Sequence, residues 1–98
     1  MDFTLLIEWL HQKKSITPLE KDILDTWNEL QKSPFDRSSA QRQIMQNNVK
    51  HPEILFAIQA LPTTVVRPFD QVTESDIRYY LGKQLEALAA KAGWPANG

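Results

Sequence analysis

His51-Pro52-Glu53-Ile54-Leu55-Phe56-Ala57-Ile58-Gln59-Ala60-Leu61 is the most apolar run in a chain whose mean hydropathy is −0.41. At about 100° per residue its apolar side chains fall on nearly every side of a helix, interrupted by Glu53 and Gln59. A helix that is apolar all round has to be surrounded. Pro52 suits the first helical position, where an N–H would have no intrahelical partner. The stretch predicts a central helix over about residues 52–61, with Phe56 in the core and the other segments wrapped around it.

Upstream, residues 2–14 place Phe3, Leu6, Ile7 and Leu10 on one helical face, widened by Leu5 and Trp9, with Asp2 positioned as a cap. Thr17-Pro18-Leu19-Glu20 combines a threonine cap, a proline at the first helical position and a glutamate at the third, which marks a second helix to about Lys32. Its apolar stripe is Leu19, Ile23, Leu24, Trp27 and Leu30, and Lys21, Asp22, Asp25 and Glu29 read as the solvated side. Ser33-Pro34-Phe35-Asp36-Arg37 cannot easily continue a helix. Ser38 or Ser39 then caps a third helix to about Val49, whose apolar set is thin: Ala40, Ile44, Met45 and Val49 among glutamines and asparagines.

Downstream, residues 62–72 form the longest irregular segment, and the Thr63-Thr64-Val65-Val66 run has no strand to pair with. Thr73 begins the last helix, with Asp76 at the capping-box position and Val72 placed to staple onto Ile77. Ile77, Leu81, Leu85, Leu88 and Ala92 make a narrow buried stripe. Gly93 suits the left-handed residue that ends a helix, and Pro95 prevents resumption. The expected fold is all-α, a single small domain of four to five short helices over residues 1–93, followed by a frayed tail, 94–98. Pro-Phe-Asp recurs at Pro34 and Pro68, but positions that a tetratricopeptide repeat fills with tryptophan, glycine or small residues hold Leu6, Leu10 and Asp22. Two similar turns explain the recurrence.

Ninety-eight residues, 42% of them apolar, suffice for one modest core. A formal net charge of −1 gives no strong overall field to recruit phosphate backbones or anionic lipid. The absence of cysteine excludes disulfides, thiolate chemistry and cysteine-held metals, which fits a reducing cytoplasm. The first residues lack a basic region, and their apolar stretch is broken by Glu8, so neither a signal peptide nor a membrane span is expected and the default compartment is the cytoplasm.

No catalytic, metal or cofactor site is expected. Glu8 and His11 have the Glu-x-x-His spacing of a metal-ligating helix but lie opposite the apolar stripe and occur once. Asp22, Asp25 and Glu29 recur on one side of helix two, where an ordinary wet face is expected. His51 precedes a proline and is expected to cap or fill its turn. Gly82, Gly93 and Gly98, the only glycines, build no phosphate loop.

The expectation is therefore a non-enzymatic interaction or regulatory module: an adaptor, inhibitor, small chaperone or antitoxin-like partner of another protein. Tyr79 projects away from the last helix's buried stripe, and Arg67, Phe69 and Trp94 flank that helix, so these four are the expected partner-binding residues. Leu5 and Trp9 widen helix one enough to suggest a homodimer or a partner groove. The alternative is a nucleic-acid-binding regulator. Residues 37–51 carry Arg37, Arg42 and Lys50 with no acid, interleaved with side chains able to read base edges, although the connection before them is longer than a tight helix-turn-helix.

Overall fold

The computed structural model describes residues 3–55 and 72–94, and its elements there are four helices: α1 (Phe3–His11), α2 (Pro18–Gln31), α3 (Arg37–Lys50) and α4 (Glu74–Lys91). The molecule is all-helical over these residues, and α2, α3 and α4 pack on one another. Most of the expected central helix, Phe56 included, lies outside the described residues, as do Arg67 and Phe69 and the irregular segment up to residue 71. Ile54, at the start of that expected helix, is buried within the main apolar cluster.

The start signals act as the sequence predicts. Thr17 accepts from the backbone N–H of Glu20 while the Glu20 carboxylate accepts from the N–H of Thr17, so two otherwise orphaned donors are satisfied reciprocally. Thr73 and Asp76 repeat the arrangement at α4. Gly93 takes a φ of +95° just past α4, a conformation that a side chain resists. Helix three differs. Its cap is Asp36 rather than Ser38 or Ser39, because the Asp36 carboxylate accepts from the Ser39 N–H at 3.0 Å and carries the charge that a helix N-terminus favours.

Leu6 and Leu10 of α1, Ile23 of α2 and Leu85, Leu88 and Ala89 of α4 form one apolar cluster, with Phe3 meeting Trp27 edge-on at 5.8 Å. Ala40, Val72, Ile77 and Leu81 form a second, joined to the first through Leu30 and Ile44. The predicted stripes of the second and last helices thus face each other. Val72 and Ile77 pack together as the expected staple.

The side of α2 read as solvated is the main correction. Asp22 and Glu29 are buried, and with Thr26 between them they form a stripe that faces α3. Periodicity alone assigned those carboxylates to water, since it carries no record of partners distant in sequence.

Candidate functional site

Residues 22, 26 and 29 lie within about 60° on the surface of α2, because steps of four and three residues return to one helical face. Each meets a polar group at or near α3, which runs antiparallel to it. Glu29 Oε2 accepts from Ser39 Oγ at 2.7 Å, Thr26 Oγ1 accepts from Asn47 Nδ2 at 2.9 Å, and Asp22 Oδ2 lies 2.7 Å from His51 Nε2. The result is a polar seam that runs beside the apolar contact of Leu30 with α3.

At the middle of the seam α4 joins through Gln84, which is fully buried. Its Oε1 accepts from Asn47 Nδ2 at 3.0 Å, and its Nε2 donates to the Ile44 carbonyl at 3.1 Å and to Asn48 Oδ1 at 2.9 Å. Gln43 Nε2 donates to Asn47 Oδ1 at 3.0 Å, so both ends of the buried Asn47 amide are occupied. Buried amides are costly without partners and directional with them. The network fixes how the three helices slide against one another.

At one end of the seam, Lys32 Nζ donates to Ser39 Oγ at 2.9 Å and to Glu29 Oε2 at 3.0 Å. A serine beside a lysine is nucleophilic when the amine is neutral and takes the hydroxyl proton. Here the amine donates to both neighbours, and the Ser39 hydroxyl donates its hydrogen bond to Glu29. The trio is a helix-to-helix clamp.

The other end holds His51. Lys91 Nζ, from the last turn of α4, lies 2.9 Å from His51 Nδ1, and an ammonium has donors but no acceptor, so Nδ1 must accept. The proton of a neutral ring then resides on Nε2 and is donated to Asp22. Lys50 approaches the other Asp22 oxygen at 3.4 Å, and Lys91 also pairs with Glu53. His51 does more than fill its turn: it links α2, the end of α3 and the end of α4. Both ring nitrogens are occupied, so the imidazole as placed has no free lone pair for a substrate proton.

Lys13 closes the start of α2 onto Glu20 with an ion pair and lies 4.2 Å from the Trp9 ring centroid. The Lys13 ammonium, with the Thr17 backbone N–H, holds the Glu20 carboxyl below its usual range against the opposing effect of burial. Glu8 and His11 are exposed, as the sequence implied. Among the described residues no group of three or more histidine or acidic side chains could hold a metal ion, and no helix is long and apolar enough to cross a membrane.

Of the expected partner-binding residues, Tyr79 is 48% exposed on α4, with Lys83 Nζ 5.5 Å from its ring centroid. Trp94, assigned to the tail, donates its backbone N–H to the Ala89 carbonyl at 2.9 Å and packs at a 40° tilt against Trp9, ring centroids 5.3 Å apart, so it closes the end of the apolar cluster. Trp9 is thereby covered from within, while Leu5 stays 54% exposed. Among the residues of the nucleic-acid alternative, Lys50 is drawn to Asp22 and Arg37 is half-buried, whereas Arg42 is exposed.

Sequence reasoning missed Gln43, Asn47 and Gln84 as buried residues. A faint sign existed, since Ala40, Gln43 and Asn47 share one helical face. It also counted Met45 and Val49 in the apolar set of α3, yet they are 66% and 80% exposed. Compared with protein-family models, curated proteins and solved structures, the chain matches none of them.

Proposed function

We propose that this chain is a non-enzymatic interaction module that docks on another protein through the outer face of α3. One observation carries this reading. The two most exposed large apolar side chains among the described residues, Val49 and Met45, stand one turn apart on a helix whose other face is committed to the polar seam. Single exposed apolar residues are ordinary on protein surfaces, but an i, i+4 pair presents a continuous ridge of the kind that seats in a helical groove. Arg42 extends that ridge by a further turn.

The occupant we assign is an amphipathic helix of another protein with acidic residues beside its apolar stripe. From Arg37 to His51 the chain has three basic side chains and no acid, so an acidic neighbour meets no like charge along α3. Tyr79 on α4 is a second proposed anchor, and Arg67, Phe69 and Trp94 remain proposed contacts. Adaptor, inhibitor and antitoxin-like roles all use such a surface.

The test is paired capture from a lysate of the native host, with the parent chain and with the double variant Met45→Ser/Val49→Ser. A protein retained by the parent in raised salt, lost by the variant and crosslinked to α3 supports the reading. Retention of the same protein by the folded variant overturns it. Capture of nucleic acid that falls steeply with salt and weakens on Arg42→Ala puts the nucleic-acid regulator in its place.

A further inference from the structure

We propose that Asp22, His51 and Lys91 form a proton-operated latch, which joins the last turn of α4 to the end of α3 while His51 is neutral and releases it when His51 takes up a proton. The inference stands apart from the docking surface, since Asp22 lies on α2, His51 just past α3 and Lys91 on α4, and none of them belongs to the Met45–Val49 ridge. Its basis is the order of donors along the chain of contacts. Lys91 donates to Nδ1 at 2.9 Å, and Nε2 donates to Asp22 at 2.7 Å. Neutral imidazole satisfies both neighbours in one tautomer.

The incoming proton has one ring position open to it, Nδ1, the atom that faces the ammonium. Imidazolium and Lys91 then become two cationic donors at hydrogen-bonding distance, with no acceptor between them. The Asp22 contact meanwhile gains charge and strengthens. Protonation is thus redirected rather than forbidden: the α2 side of the ring holds and the α4 side lets go. The charged groups around the ring are Asp22 from α2, Lys50 from α3, Glu53 just beyond α3 and Lys91 from α4. Lys91 is already paired with Glu53 and keeps that partner when it leaves the ring, so the change stays local.

The consequence falls on the residues after Lys91. The Ala92, Gly93 and Trp94 amides bond back into the end of α4, and Trp94 lies against Trp9. Loss of the Lys91–His51 contact leaves Lys91 held by Glu53 alone, which loosens that turn and shifts the indole pair.

The experiment is an NMR titration of the full chain, labelled at its histidine nitrogens, from pH 8 to the onset of acid unfolding, with amide exchange followed at Gly93 and Trp94. The expected result is an Nε2–H tautomer at pH 8 and a several-fold rise in exchange at those amides, corrected for intrinsic pH dependence, as His51 protonates. Lys91→Met and His51→Gln should each abolish the pH-linked rise; Lys91 is partly exposed, so its variant keeps the fold. An Nδ1–H tautomer at pH 8, exchange that ignores the titration, or a His51 that stays neutral until the protein unfolds each overturns the proposal.

Discussion

Helices α4 and α3 solve the same problem in opposite ways. Helix α4 buries Ile77, Tyr80, Leu81, Leu85, Leu88 and Ala89 and turns Glu74, Ser75 and Arg78 outward, whereas α3 buries Gln43 and Asn47 and exposes Met45 and Val49. Helix α2 lies between the two arrangements, with its leucines and Trp27 in the apolar cluster and its Asp22, Thr26 and Glu29 stripe on α3. Apolar burial is non-directional and tolerates small shifts of one helix along another. A hydrogen-bonded seam does not, because each amide and carboxylate must meet its own partner. The α4 side supplies cohesion and the α3 side supplies register.

The largest expected effect lies on the α4 side. Leu85 is fully buried in the apolar cluster, so Leu85→Ala removes apolar contacts and leaves a cavity, at a cost of about 2–5 kcal/mol. Chemical denaturation reads this directly. A loss under about 1 kcal/mol would mean that the apolar cluster is not the main source of cohesion, and the comparison would fail.

Next comes Asn47, the seam's centre. Asn47→Leu keeps the branched shape and the number of heavy atoms but strands Gln43, Thr26 and Gln84, with an expected loss of about 1–3 kcal/mol. Adding Gln84→Leu removes one of the stranded partners, so the double variant should be less destabilised than the sum of the singles, with a coupling of about 0.5–3 kcal/mol. Strict additivity would show that the amides are bystanders.

This contrast also explains what could be read in the chain. The caps at Thr17 and Thr73, the staple from Val72 to Ile77 and the left-handed Gly93 are local devices, complete within a few residues, and the stripes of α1, α2 and α4 follow from apolar periodicity. The seam is different. Asp22 and His51 are 29 residues apart, and Asn47 and Gln84 are 37 apart, so no local pattern separates these polar side chains from solvated ones. The same lack of distance information placed Met45 and Val49 inside and left the Asp22 stripe outside. Tyr79 could be read as outward because α4 obeys its period; Arg42 could be marked as basic, but its standing among exposed apolar residues could not.

Smaller effects sharpen the comparison at the entrance of α2, where a local device meets a distant partner. Thr17→Ala should cost about 1 kcal/mol through loss of the cap. Glu20 adds a pH signature. Its carboxyl is held below the usual range, chiefly by Lys13, so the folded state binds the proton more weakly than the unfolded chain. That contribution is complete above the ordinary carboxylate value of 4.5 and is lost as pH falls through the lower folded value. Glu20→Gln, which keeps an acceptor for the Thr17 N–H, should therefore narrow the stability difference from the parent on acidification. A gap that is constant from pH 6 to pH 3 would assign the effect of Glu20 to packing instead.

The smallest expected change in stability belongs to the outer face of α3, and it separates that face from everything beneath it. Met45 and Val49 are 66% and 80% exposed, so Met45→Ser and Val49→Ser remove little buried apolar surface. Each should stay within about 0.5 kcal/mol of the parent, the usual range for surface substitutions. Serine is a slightly poorer helix former than methionine but close to valine, so any residual loss should be greater at position 45. Binding should respond in the opposite sense. If the ridge seats in a partner's groove, truncating both side chains removes an apolar anchor at the centre of the contact, where such residues commonly carry 2 kcal/mol or more, roughly thirtyfold in Kd. Asn47→Leu would then weaken binding only to the extent that it unfolds the chain, because its side chain faces the seam. Melting curves beside titrations with the captured partner distinguish the two: stability without binding for the outer variants, and binding that tracks stability for the inner one. If Met45→Ser and Val49→Ser lose several degrees of Tm, they belong to the core after all, and α3 is not the inverse of α4.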